Sequence, residues 1–199
     1  LNSAVDDLLK KEFDILRKKQ IPHKFLEEYG LNLIPFMHEK IDHWRNALTG
    51  GISYLDKNTN IQLHGGVDDI WFDPKEKELV VVDYKAQSNS IPVETSSYLR
   101  NIWHQGYKIQ MDIYVHILRN MNFKVSDTAY FYVCNADRNH TKFDGKLNFT
   151  TTLVPYQANT LWIDKKIIEM KDTLDSENVP EVNKSCEKCM QLKASKDFV

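Results

Sequence analysis

The sequence predicts an α/β fold, with a mixed central sheet flanked by helices, and three observations lead there. Segments of helical and strand periodicity alternate along the 199 residues instead of separating into two halves. Leu79-Val80-Val81-Val82 is apolar on both faces, the pattern of a strand buried in the middle of a sheet. Gly, Pro and Asn punctuate short runs rich in β-branched and aromatic residues.

Taken in order, Val5, Leu8, Leu9, Phe13 and Leu16 form one stripe of a charged amphipathic helix, which Ile21-Pro22 ends. A second helix is expected over residues 34–48, closed by Gly50-Gly51. A strand over 52–55 turns through Lys57-Asn58-Thr59-Asn60 into a second strand, expected to run from Ile61 to Phe72. Gly65-Gly66 within it marks a bulge or a close backbone approach. Asp73-Pro74-Lys75 turns the chain into a third strand, residues 78–84. A polar loop leads to a long helix over 97–120, strands over 129–134 and 147–155, and a helix over 160–174. The domain organisation expected is a helical extension over residues 1–30, a core over 31–175 and a cysteine-bearing tail over 176–199.

Composition narrows the function. With 42 % hydrophobic residues the chain can bury one substantial core, and no apolar run reaches the roughly 18 residues of a membrane span. Residues 1–20 lack the apolar block of a secretory leader. A net charge of −2 is not the footprint of a protein that grips phosphates by charge alone. Three cysteines, one pair spaced C-x-x-C, do not form a secreted disulfide framework, so a reducing cytoplasm is expected.

Chemistry concentrates in Gly65-Gly66-Val67-Asp68 and, fifteen residues after Asp68, in Asp83-Tyr84-Lys85. Strand alternation puts Asp83 and Lys85 on one face with Leu79 and Val81, and Tyr84 on the other with Val80 and Val82. The turn at 73–77 makes the two strands antiparallel neighbours, so Asp68 and Asp83 can converge. Two converging carboxylates repel unless a cation joins them, and hard oxygen ligands suit Mg²⁺ or Mn²⁺. Against this stands a plain Asp83–Lys85 ion pair at a strand end, with Asp68 capping a turn. The residues alone leave both readings open.

The three segments Gly65 to Asp68, Asp83 to Lys85, and Gln110-x-x-x-Tyr114 resemble the motifs of the PD-(D/E)XK nuclease superfamily in its RecB-like branch, which includes CRISPR-associated exonucleases. The helix–three strands–helix–strand order is similar to that family's restriction-endonuclease-like αβββαβ core. The resemblance implies that Asp68, Asp83 and the Tyr84 main-chain carbonyl hold a Mg²⁺ or Mn²⁺ ion. It implies that Lys85 positions the attacking water, and that Gln110 and Tyr114 help to place active site and substrate. Packing is the alternative for Tyr114, since Trp103, Tyr107, Gln110, Tyr114 and Leu118 make one stripe.

RecB-like members also carry a histidine metal ligand on the helix before the strands. His38 is expected in that role, with His43 behind it and Glu39 and His64 ranked lower. The family's four-cysteine iron–sulfur cluster is not available here, because only Cys186 and Cys189 follow the core and no cysteine precedes it. The pair reads as a metal-free remnant, with zinc as the lesser alternative, and Cys134 as a buried residue. Arg100, Lys108, Arg119 and Lys124 could line a DNA groove, and Trp71, Trp103 and Tyr107 could stack on bases. The expected activity is Mg²⁺- or Mn²⁺-dependent hydrolysis of single- or double-stranded DNA, exonucleolytic by resemblance. The rival is a nuclease-fold module that binds nucleic acid or a protein without cutting.

Overall fold

A computed structural model describes residues 1–196. Five strands form the main sheet in the order β1-β4-β5-β6-β7. They are β1 (Ile34–Pro35), β4 (Asp69–Asp73), β5 (Glu78–Gln87), β6 (Thr128–Ala136) and β7 (Phe149–Gln157). All neighbours are antiparallel except β5 and β6, so the sheet is mixed, as expected. Parallel strands need a crossover, and α5 (Gln105–Asn120) supplies it. Two strands, β2 (Ile52–Asp56) and β3 (Ile61–Gly65), form a separate hairpin.

Each face of the sheet buries a helix. On one, α1 (Asn2–Lys19) places Leu9 and Phe13 against Trp71, Val80, Val82 and Tyr84. On the other, Met111, Tyr114, Val115 and Leu118 of α5, spaced for a single helical face, pack on Leu79, Val81 and Phe131. The even and odd residues of β5 therefore face opposite layers, as strand alternation requires.

Several boundaries differ from the sequence reading. No helix covers residues 34–48: Ile34-Pro35 pairs with β4, and only the short α3 (Ile41–Arg45) follows. Pro35 and the pairing of Phe36 N–H with the Ile70 carbonyl, 2.9 Å, hold the segment as a sheet edge. The strand expected over 61–72 is two strands in two sheets, split at Gly66 to Asp68. A Cβ on Gly66 would sit 2.7–2.9 Å from the Cβ, N and Cα of Ala47, so the close approach foreseen there is real. The helix expected over 97–120 is α4 (Thr95–Arg100), a 3-10 turn at Ile102–His104, and α5. The break falls at Asn101, whose side chain caps Trp103 N–H at 3.0 Å. Two more helices, α2 (Lys24–Glu28) and α6 (Ile163–Asp175), flank the sheet, and α7 (Glu187–Lys196) lies in the tail.

A buried charge network ties α1 to the sheet. Asp69, fully buried, accepts from Arg17 at 2.6 Å, Arg45 at 2.9 Å and the Tyr84 hydroxyl at 2.9 Å. Asp14 of α1 joins both arginines, at 3.0 and 2.8 Å. Burial is offset here by paired charges, which hold the Arg45 guanidinium further up than its ordinary value against the opposing effect of desolvation. Asp112, the acid of α5, is also buried: it accepts from Tyr156, Asn159 N–H and Trp162, fastening β7 and the start of α6. Among the described residues no helix is long and apolar enough to cross a membrane.

Candidate active site

The site forms where β5 runs past the end of β4. The last antiparallel pair is Asp69 with Val82, so the residue before Asp69 meets the residues after Val82. Asp68 sits there, in the bend between the hairpin and β4, and its Oδ2 accepts from Tyr84 N–H at 2.8 Å. The Asp68 carboxyl lies close enough to Asp83 to feel its negative charge. Asp68 is therefore not the cap of a local turn; it sits beside a second acid.

Asp83 points into the α5 layer and is 1 % exposed. The Lys85 ammonium, two residues on and on the same face, forms an ion pair with it. That ion pair, the plainer of the two readings open at the sequence, does exist, together with the convergence of the acids. Asp83 Oδ2 otherwise has no hydrogen-bond partner. Burial, and then the negative charge of Asp83, push the Asp68 carboxyl up to about 7, against the opposing pull of Lys85 and the Tyr84 amide. Burial raises the Asp83 carboxyl too, with Lys85 working the other way.

The α5 layer closes over these groups. Gln110 donates to the Tyr114 hydroxyl at 2.6 Å, so the expected pair forms one unit. Burial raises Tyr114 to about 12, and the charges of Asp83 and Asp68 add to the shift. Tyr114 is thus both packed in the core and beside the acids. A Cβ on Gly65 would fall 2.5 Å from Tyr114 Cε1, so glycine there makes room for the ring. The Lys85 ammonium stands 4.5 Å above the Tyr107 ring.

A cavity of about 420 Å³ opens on Asp68, lined also by Tyr84, Lys85 and Tyr107 and, from α1, by Asn2, Ser3, Val5 and Asp6. Asp6 was not anticipated. Its Oδ1 is buried without a partner, Lys10 bonds its Oδ2 at 2.7 Å, and its charge acts on both Asp68 and Asp83. Only its place one turn before Leu9 and Lys10 on an amphipathic helix was legible, and that does not distinguish it from a solvated charge. Asp69 was also missed; its neighbour Asp68 drew attention for the motif, while alternation sent Asp69 to the other face.

The histidines lie elsewhere. His38 is in a turn, not on a helix, and its ring stacks on Trp44 at 4.2 Å, with Phe36 and Phe123 beside it. Phe123 precedes Lys124, whose carbonyl bonds Leu79 at the start of β5, so the His38 ring faces the end of that strand remote from Asp83. His43 and Glu39 are exposed, and His64, on the hairpin, is engaged by the Gly50 carbonyl. Trp71, thought available for base stacking, is fully buried against Phe13, at 5.3 Å. Arg119 and Lys124 are occupied by Asp127 and Glu76 at the far end of α5. Cys186 and Cys189 are bonded to each other, and Cys134 is buried and free.

Neighbouring buried acids repel each other unless a cation joins them. Among the described residues no three His, Cys, Asp or Glu side chains stand together as ligands. The donors present are two neighbouring carboxylates, one with an unpartnered buried oxygen. Mg²⁺ is commonly held through one or two carboxylates with water completing the shell, so the set fits a hard cation.

A five-strand mixed sheet flanked by helices, with an acid at the entry to β4 beside an acid of β5 that a lysine pairs, is consistent with the nuclease-like class of α/β folds. The sequence profile of the PD-(D/E)XK nuclease superfamily matches residues 2–191, and the chain belongs to that superfamily. Its members are generally metal-dependent phosphodiesterases acting on nucleic acid. No curated protein and no solved structure matches the chain.

Proposed function

We propose that the chain is a Mg²⁺- or Mn²⁺-dependent DNA nuclease of the RecB-like branch, cutting exonucleolytically. The observation that supports this best is the Asp68–Asp83 carboxyl pair with Lys85 seated on Asp83. Asp68, Asp83 and the Tyr84 carbonyl would hold the cation. Tyr84 N–H already faces Asp68, and the two polar main-chain groups of a strand residue share one side, which turns the carbonyl the same way. A bound cation would polarise the scissile phosphate and make water a stronger acid.

The chain's own groups do the rest. Lys85, drawn from Asp83 when a cation takes that carboxylate, presents its ammonium to the attacking water or a phosphate oxygen. Gln110 and Tyr114 set the roof of the site, and Tyr107 holds the lysine from above. Asp6, which lines the cavity and keeps one buried oxygen unpartnered, adds a third acid beside the pair.

The test is incubation of labelled single- and double-stranded DNA with Mg²⁺ or Mn²⁺, comparing wild type with Asp83→Ala and Lys85→Ala. Cleavage that needs metal and collapses in both variants is expected. Equal cleavage by all three proteins would place the activity at another site or in a contaminant, and none by wild type would overturn the reading in favour of a non-cleaving module. Release of mononucleotides from labelled ends, rather than internal fragments, checks the exonucleolytic part.

A further inference from the structure

A second cavity, of about 300 Å³, lies beyond the first in the direction of β5, at the carboxyl-terminal ends of β5 and β6. Gln87, Asn89, Ser90, Tyr98, His104 and Arg138 are among its lining residues. Its size is at the lower end of the roughly 300–1,000 Å³ of ligand pockets. Its wall is fixed by the fold rather than left to a free loop. Asn135, buried at the end of β6, accepts from Asn89 N–H at 2.8 Å and donates to the Asn89 carbonyl at 3.1 Å. Asn139 donates to the Ser90 carbonyl at 3.2 Å, and the Ser88 hydroxyl to the Ala136 carbonyl at 3.3 Å.

Two connections join this cavity to the acids. Gln87 lies two residues beyond Lys85 on β5, on the same face and about 6.7 Å along the strand. A row of rings runs the same way: Lys85 stands over Tyr107, His104 stacks on Tyr107 at 5.2 Å, and His104 packs against Tyr98 at 4.1 Å. Beside His104, Ile102 and Trp103 are 72 % and 82 % exposed, and Ile91, Pro92 and Val93 add an apolar stretch to the lining itself.

We propose that this cavity takes the unstacked base of the nucleotide next to the scissile phosphate, which makes single-stranded or frayed DNA the preferred substrate. Amide and hydroxyl groups of Gln87, Asn89 and Ser90 match the donors and acceptors on a base edge. The His104 ring, backed by the buried Tyr98, offers a stacking face, and Arg138 a guanidinium for the adjoining phosphate. A paired base would first have to leave its stack, a cost that a single strand does not bear. The inference rests on the nuclease reading and adds a subsite to it.

The test uses the full chain carrying Asp83→Asn to stop cleavage, with binding of a labelled single-stranded oligonucleotide and of a blunt duplex read by fluorescence anisotropy. Single strands should bind at least about tenfold tighter than duplex. Arg138→Ala and the pair Gln87→Ala, His104→Ala should each weaken single-strand binding about tenfold while thermal melting stays unchanged. An abasic nucleotide walked along the strand should weaken binding at one position only, and at that position the cavity variants should lose nothing more. Cavity variants that bind and cut as wild type does, in a protein whose cleavage depends on Asp83, would overturn the subsite and leave the nuclease reading standing. Absence of cleavage by the wild-type chain would remove both.

Discussion

Tyr84 N–H donates to Asp68 Oδ2 at 2.8 Å, and the same tyrosine's hydroxyl donates to Asp69 Oδ2 at 2.9 Å on the opposite side of the sheet. Through one residue of β5, two adjacent acids are fixed in different jobs. Asp68 lines the cavity beside the buried Asp83, and Asp69 gathers Arg17 and Arg45 beneath α1.

Replacing Asp68 by Asn should separate activity from stability. The amide oxygen can still accept from Tyr84, while a negative charge facing Asp83 disappears. Metal-dependent cleavage should fall by about a hundredfold or more. Chemical denaturation should show stability unchanged or raised by about 0.5–2 kcal/mol, as often found when strained active-site groups are removed. A large loss of stability would show that Asp68 holds the fold.

Asp69→Ala should do the reverse. Arg17, Arg45 and the Tyr84 hydroxyl would be left facing a buried gap, and removing one partner of a buried ion cluster costs about 3–5 kcal/mol. Urea unfolding of wild type and variant measures it. A change below about 1 kcal/mol would mean that water replaces the carboxylate.

The raised Asp68 carboxyl gives a pH dependence with a definite sign. It holds its proton in the folded chain up to about pH 7, whereas the unfolded chain releases it near the ordinary value of about 3.9. Without metal, stability should therefore fall as pH rises from about 4 to about 7, and level off above. A cation must displace that proton, so Mn²⁺ affinity should climb with pH up to about 7 and then flatten. Calorimetric titration with Mn²⁺ and thermal melts in chelator, both across that range, check the two halves. Affinity that is flat from pH 5 to pH 8 would place the ion elsewhere.

Gln110 and Tyr114 should matter to catalysis beyond packing. Tyr114→Phe keeps the ring and removes the acceptor of the Gln110 amide, so kcat/KM should drop about tenfold with little change in melting temperature. Gly65→Ala presses a methyl into the same ring and should cost about 1–3 kcal/mol as well as activity. Full activity in Tyr114→Phe would assign the tyrosine to the core alone.

Asp6 tests whether α1 belongs to the site. Asp6→Asn should leave the helix in place, since Leu9 and Phe13 anchor it, and weaken Mn²⁺ binding by about tenfold. Unchanged metal affinity would return Asp6 to a purely local partnership with Lys10.

Much of this was legible along the chain. The doubly apolar run at residues 79–82 fixed a central strand, and its period of two already assigned Asp83 and Lys85 to one layer and Tyr84 to the other. The glycine pair announced a close approach, and the Gln110–Tyr114 spacing announced a shared helix face. What misled was local as well: the apolar spacing around residues 34–48 mimics a helix, but Pro35 and the open edge of β4 draw that segment into the sheet. His38 then turns among Phe36, Trp44 and Phe123 instead of toward the acids.

By itself the sequence determined which side chains share a face, because periodicity is a property of each strand or helix alone. Only the tertiary structure decided which elements meet. It brought Asp6 from the first helix to a cavity more than sixty residues away in sequence, buried Asp69 beneath the same helix, and set a second cavity at the ends of β5 and β6. Those contacts depend on how two layers pack across a twisted sheet, and long-range packing leaves no period for a reader of the chain to find.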